Sequence, residues 1–136
     1  MKKFLVLALA FALALSALAG CSSGKLPEGF VKEDVVKEAE DAVKLLSDGD
    51  YDSMEKRFSS DMKTALDADA LEKALSPQLE KLGAFDSVTS TAVTGGKNDQ
   101  VGDYAVAVLV CRYENGSATY TVSIDADGFI CGLYMK

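Results

Sequence analysis

Tyr104-Ala105-Val106-Ala107-Val108-Leu109-Val110-Cys111-Arg112-Tyr113, followed by Glu114-Asn115-Gly116-Ser117 and Ala118-Thr119-Tyr120-Thr121-Val122-Ser123-Ile124, is the stretch that decides the fold. Its apolar residues alternate with a period of two, and β-branched and aromatic types dominate, as in strands that pack on one face. Asn-Gly between two such runs is a strong two-residue hairpin signal. Asp125-Ala126-Asp127-Gly128 turns the chain again, and Phe129 to Met135 reads as a further strand.

These turns predict a register. With Asn115-Gly116 as the loop, Leu109 faces Val122 and Cys111 faces Tyr120; with Ala126-Asp127 as the next loop, Val122 faces Cys131 and Tyr120 faces Leu133. One face then carries Ala105, Ala107, Leu109, Cys111, Tyr113, Ala118, Tyr120, Val122, Ile124, Phe129, Cys131, Leu133 and Met135, all apolar or aromatic. A slip of one residue would scatter that set over both faces, so the pattern specifies which face is buried. The other face carries Val106, Val108, Val110, Arg112, Thr119, Thr121, Ser123, Ile130 and Tyr134.

Upstream the period is helical. Phe30 to Leu46 places Val31, Val35, Ala39, Ala42 and Leu46 on one stripe, widened by Val36 and Val43, with charged residues opposite and Gly49 as the expected C-cap. Tyr51 to Phe58 and Ser59 to Leu66 read as short helices, and Asp69 to Leu82 as a longer one that Pro77 should kink or restart, with Ser76 capping the new turn. Val88 to Thr94 is an additional strand, ended by the turn Gly95-Gly96-Lys97-Asn98-Asp99. Helices first and a meander of about four strands afterwards make an α+β domain, with the helices on one face of a curved antiparallel sheet.

The chain starts Met1-Lys2-Lys3, continues with an apolar run from Phe4 to Ala17, and reaches Leu18-Ala19-Gly20-Cys21. A basic start, a short apolar run and a small-residue cleavage site form a secretory signal. The run falls short of the roughly 20 apolar residues a retained transmembrane helix needs. Leu-Ala-Gly-Cys resembles the lipobox of bacterial lipoproteins, which implies cleavage before Cys21 and a thioether diacylglycerol on it. Two acyl chains give stable anchoring where one is marginal. The expected organisation is a signal peptide over 1–20, a lipidated N-terminus and tether over 21–29, and one domain over 30–136, on the extracytoplasmic side of a bacterial cell membrane.

Loss of the first 20 residues leaves 116, enough for a domain with its own core. Lys+Arg falls from 14 to 12 against 21 acids, a formal charge of −9, which argues against nucleic acid as a partner. The chain has no histidine, the commonest general base and metal ligand. Asp48-Gly49-Asp50-Tyr51-Asp52 opens like a calcium loop, but Ser53 and Ser59 stand where that loop needs glycine and glutamate, so a capped turn is expected. No glycine-rich phosphate loop precedes a helix, and no cofactor is implied.

Leu45-Leu46-Ser47-Asp48-Gly49-Asp50-Tyr51, Phe58-Ser59-Ser60-Asp61-Met62-Lys63, Leu82-Gly83-Ala84-Phe85, Val110-Cys111-Arg112-Tyr113-Glu114 and Asp127-Gly128-Phe129-Ile130-Cys131-Gly132-Leu133 together resemble the bacterial family called domain of unknown function 3887. The order of elements is similar to the nuclear transport factor 2-like (cystatin-like) superfamily. That resemblance implies a bent sheet wrapped around the first helix as a cone. It also implies possible isomerase or dehydratase relatives with an Asp base and Tyr donors inside, and frequent dimerisation through the sheet's outer face.

Cys111, Tyr113, Tyr120, Phe129, Cys131 and Leu133 are therefore the candidate lining of the interior, and both an open pocket and a packed core are compatible with them. No Asp or Glu falls on the inner positions of the last three strands, so the expected function is a non-enzymatic module that binds a small apolar ligand or an envelope protein, with a Tyr-and-carboxylate isomerase or dehydratase as the alternative. Val106, Val108, Val110, Ile130 and Tyr134 are the candidate dimer face; cover by loops or by the first strand, or a modest exposed patch, is the alternative there. Cys111 and Cys131 should stay unbridged, standing two strands apart at about 9–10 Å, beyond the roughly 7 Å a disulfide allows.

Overall fold

The computed structural model describes residues 25–136, so the stretch expected as a signal peptide and Cys21 lie outside the described residues. Four helices precede four strands: α1 Lys32–Ser47, α2 Tyr51–Lys56, α3 Ser60–Ala65, α4 Ala68–Leu82, then β1 Phe85–Asn98, β2 Gly102–Tyr113, β3 Gly116–Asp125 and β4 Ile130–Met135. The strands form one antiparallel sheet in the order β1-β2-β3-β4. It is the α+β arrangement expected from the change of period at Phe85. Among the described residues no helix is long and apolar enough to cross a membrane.

α1 lies across the sheet and buries Val35, Ala39, Ala42, Val43 and Leu46. It starts later than its apolar stripe suggests: Val31 is the N-cap, offers no side-chain hydrogen bond, and is 52% exposed. The three short connections are held by caps that their sequences supply. Asp50 accepts from Ser53 N at 3.2 Å, Ser59 from Met62 N at 3.4 Å, and Asp67 from Ala70 N at 2.8 Å. The Arg57 guanidinium, just after α2, donates to Glu38 of α1 at 2.7 Å and so ties the two helices together. α4 corrects one expectation, because it runs through Pro77 as a single helix. Leu71 and Leu79, on either side of the proline, are both buried, and Ser76 Oγ donates to Glu80 at 3.4 Å rather than capping a new turn. Burial on both sides of the break outweighs the one lost backbone hydrogen bond.

The inner sheet face and the helices share one core, centred on Tyr120, Phe58, Leu46, Met54, Leu71, Leu109 and Ile130. The hairpins differ from the expected register by two residues. Leu109 pairs with Tyr120 and Cys111 with Ala118, which makes Glu114-Asn115 the loop. The cause is tertiary: Glu114 N donates to Ala84 O and Asn115 N to Leu82 O, both at 2.8 Å, and Asn115 Nδ2 reaches Lys81 O at 3.3 Å. The turn thus satisfies carbonyls at the end of α4, which would otherwise be unpaired. Gly116 does not have a positive φ, and a Cβ there would sit 3.1 Å from Leu82 Cδ2, a side-chain end that would have to give by a few tenths of an ångström. A shift of two preserves the face, so the inner set on β2 and β3 stays inside.

β4 departs further. Val122 pairs with Leu133 and Tyr120 with Met135, but Ile124 pairs with Ile130, leaving Cys131 as an extra residue in a bulge. A bulge reverses the faces beyond it. Ile130 therefore turns into the core, fully buried, while Phe129 is 45% exposed. Both residues had been expected on the opposite sides. The linker between α2 and α3 holds Ile130 there as an added parallel bridge: Ser59 N donates to Ile130 O at 2.9 Å, and Ile130 N donates to Arg57 O at 2.8 Å.

β1 is longer than its β-branched segment, because Gly95, Gly96, Lys97 and Asn98 continue the ladder instead of turning. On the inner side of Gly95 lie Pro27 and the Lys25 carbonyl. Lys25 and Pro27, in the stretch expected as tether, thus lie against the sheet, while Glu28 and Gly29 are exposed.

Candidate functional site

The structure does not bring the candidate interior residues together in one place. Cys111, Tyr113 and Tyr120 are buried in the core, with Leu133 half-buried against it. Cys131 is half-buried at the β4 bulge, and Phe129 lies outside at the turn end of the sheet. What β2, β3 and α1 do bring together is a chain of hydroxyls. Tyr113 OH is 2.8 Å from Ser47 Oγ and 2.6 Å from Tyr120 OH, and either partner of each pair can donate. The sequence pattern placed both tyrosines on the inner face but gave no sign of Ser47. That residue is the last of α1, and only the angle at which the helix crosses the sheet brings it to Tyr113.

Burial raises the pKa of Tyr113, opposed by the hydrogen bonds to Ser47 and Tyr120. It raises that of Tyr120 much further, reinforced by the hydrogen bond to Tyr113. Both phenols are therefore neutral donors at neutral pH. Burial likewise pushes the Cys111 thiol up to about 11, with the nearby Glu40 charge adding to it. Cys131 is also pushed up to about 11, by burial first and then by Asp125. Thiols held protonated in this way are poor nucleophiles. Both are free. Cys111 sits opposite Ala118 and Cys131 beside Ile124, so they are separated by roughly 20 Å along β3 as well as by the strand itself.

Two hollows open at the surface, at opposite ends of the sheet. One, of about 400 Å³, lies between the α2–α3 linker and the two turns at that end, lined by Phe58, Ser59, Lys63, Val101, Asp125 and Phe129 among others. Asp125 there is engaged by its own turn, accepting from Asp127 N at 3.0 Å and Phe129 N at 2.9 Å. The other, of about 410 Å³, is a shallow depression lined by Val110, Arg112, Glu114 and Ser117 and also by Tyr113, a candidate lining residue. Among the described residues, no group of three or more His, Cys, Asp or Glu side chains is arranged to hold a metal. In the Asp48–Asp52 stretch, Asp48 is the C-cap of α1 and Asp50 the N-cap of α2.

On the outer face, Val106 of β2 is only 2% exposed, Val108 and Val110 are half-buried, and Tyr134 of β4 is 38% exposed. β1 contributes Thr94, Ala92 and Ser90 beside these valines, and β3 contributes Ser123, Thr121 and Thr119. Ile130 is not part of this group.

Comparison with known proteins places this architecture. A family model described as "Protein of unknown function (DUF3887)" matches residues 39–133, from mid-α1 to β4. The chain belongs to the DUF3887 family. A solved structure, an NMR structure of a protein from Ruminococcus gnavus ATCC 29149, is similar to this DUF3887 chain at 30% identity and a TM-score of 0.72, covering 82% of this chain and 96% of that one. No curated protein matches it. The family match starts in α1 and ends in β4, so it takes in the Ser47–Tyr113–Tyr120 chain, the Glu114-Asn115 turn and the Cys131 bulge.

Proposed function

We propose that this DUF3887 chain is a bacterial lipoprotein, anchored on the extracytoplasmic side of the membrane through Cys21, whose folded domain is a non-enzymatic interaction module. The observation that carries the second half is the column Val106, Val108 and Val110 on the outer face of a sheet whose inner face is already filled by helices. A lone solvated face alternates to polar, and β2 does not. Val106 is already buried, and self-pairing through that column would cover the half-buried Val108 and Val110 on both copies, while anchoring on a surface would concentrate the partners.

The rival reading, a small isomerase or dehydratase of the nuclear transport factor 2-like kind, needs a carboxylate beside Tyr113 or Tyr120. Against it, both hydroxyls are occupied by each other and by Ser47, and no polar or charged residue is buried among the described residues.

Two experiments test the proposal. Intact mass of the membrane fraction should show a diacylglycerol adduct on Cys21, and Cys21→Ser should release the protein; full retention of that variant sinks the anchor. Light scattering of residues 22–136 should show a dimer that Val108→Asp converts to monomer. A wild-type monomer at high micromolar concentration, unchanged by the substitution, removes self-pairing.

A further inference from the structure

The segment from Lys25 to Phe30 is built into the domain. A Cβ on Gly95 would overlap the Pro27 ring and come within 2.8 Å of the Lys25 carbonyl oxygen, so that strand position admits only glycine while the segment is seated. Phe30 N donates to Pro27 O at 3.3 Å, which folds the segment back, and Leu26 and Phe30 pack against the core. From Cys21 to Lys25 there are four residue steps, at most about 14 Å of chain. A linker free as far as Gly29 would reach about twice that.

The position of Gly95 on the sheet gives this shortening a consequence. Its neighbour Gly96 pairs with Tyr104, and Tyr104 pairs with Asp125. The seated segment, the turn after Asn98 and the turn after Asp125 therefore share one end of the domain, with Val101 and the exposed Phe129. Tyr113, Ser117 and the Glu114-Asn115 turn are at the opposite end, roughly 36 Å from Gly102 and about 27 Å from Ala105, the partner of Gly95, along β2.

We propose that Lys25–Phe30 is a strap that stands the domain on its Gly95 end, so that Val101 and Phe129 face the phospholipid headgroups and the Glu114-Asn115 turn points away. The inference rests on the Cys21 anchorage proposed above. A reach of about 14 Å cannot bring the far end, about 27 Å along β2 from the seat opposite Ala105, to the bilayer. Charge does not set this orientation. Asp99, Asp103, Asp125 and Asp127 lie at the Gly95 end together with Lys25, Lys63 and Lys97, so that end carries no cationic surface to draw it to anionic headgroups. The strap has to impose it.

The chain has no tryptophan, so a single introduced one is an unambiguous probe. Phe129→Trp and Ser117→Trp would be made separately in the full lipidated chain and reconstituted into phosphatidylcholine vesicles containing a headgroup-spin-labelled lipid as quencher. Tryptophan at 129 should be quenched several-fold more than at 117. A flexible Gly-Ser spacer of about ten residues between Gly24 and Lys25, adding roughly 17 Å of reach, should bring the two close to equality without touching the folded domain. Gly95→Val should do the same by unseating the strap, provided circular dichroism shows that it folds. Equal quenching in the unmodified chain overturns the orientation, and a contrast that survives the spacer overturns the strap as its cause. Absence of an acyl adduct on Cys21 would remove the anchorage itself, a failure that mass spectrometry separates from the other two.

Discussion

The two faces of β2 are made by the same twelve residues and behave differently. Inward, Ala105, Ala107, Leu109, Cys111 and Tyr113 are covered by the helices and by neighbouring strands. Outward, Val106, Val108 and Val110 are as apolar, yet the flanking strands set only Thr, Ser and Ala beside them, and Val108 and Val110 stay half-buried where Val106 is 2% exposed. The inner face is apolar because the domain cannot fold otherwise. The outer face has no such need, which is why the interaction reading rests there.

Truncation along β2 should give the largest contrast. Leu109→Ala is expected to cost about 2–5 kcal/mol, as for a fully buried leucine, and the adjacent Val108→Ala about 1 kcal/mol or less. Paired urea titrations check this, and equal losses would mean that the outer face is structural after all. The β4 bulge sharpens the comparison, since Ile130→Ala should fall with the inner group and Phe129→Ala should cost little. The reverse result would restore the unbulged register.

A smaller effect is expected inside the core itself. Tyr120→Phe removes one hydroxyl from the Ser47–Tyr113–Tyr120 chain and leaves Tyr113 still bonded to Ser47. A loss of about 1 kcal/mol follows. Tyr113→Phe should cost more than Tyr120→Phe, because it strands the buried Tyr120 hydroxyl as well as breaking both bonds.

The smallest effect at neutral pH, and the one that grows with alkali, belongs to the thiols. Burial raises Cys111 and Cys131 from 9.0 to about 11, so the native state keeps protons that the unfolded chain releases. Stability from this source is complete below about pH 9 and is lost as pH rises through 11, in the direction that proton linkage requires. Replacing both cysteines by alanine should flatten that part of the alkaline unfolding curve and leave the neutral region unchanged in slope. A slope unaffected by the replacement would mean that the thiols titrate alike in both states.

Much of the domain is legible in residue order. The stripe of α1 and the alternation of β2 and β3 each follow from a local period, and both appear in the structure. The misplaced features share one cause. Asn115-Gly116 carries the best local turn signal, yet the chain turns one residue earlier because α4 offers carbonyls to Glu114 and Asn115. Cys131 bulges because the α2–α3 linker pairs with Ile130, a partner more than seventy residues away in sequence. Pro77 does not break α4, since leucines on both sides of it are buried.

By itself, then, the sequence determined the fold class and the inner face of the middle strands, because each is written in spacing between near neighbours. Only the tertiary structure decided the hairpin loops, the sides taken by Phe129 and Ile130, the meeting of Ser47 with Tyr113, and the seating of Lys25–Phe30 on Gly95. Those depend on contacts between segments far apart in the chain. A period of two cannot distinguish registers that differ by two residues, and a glycine in a strand does not name the segment that will lie against it.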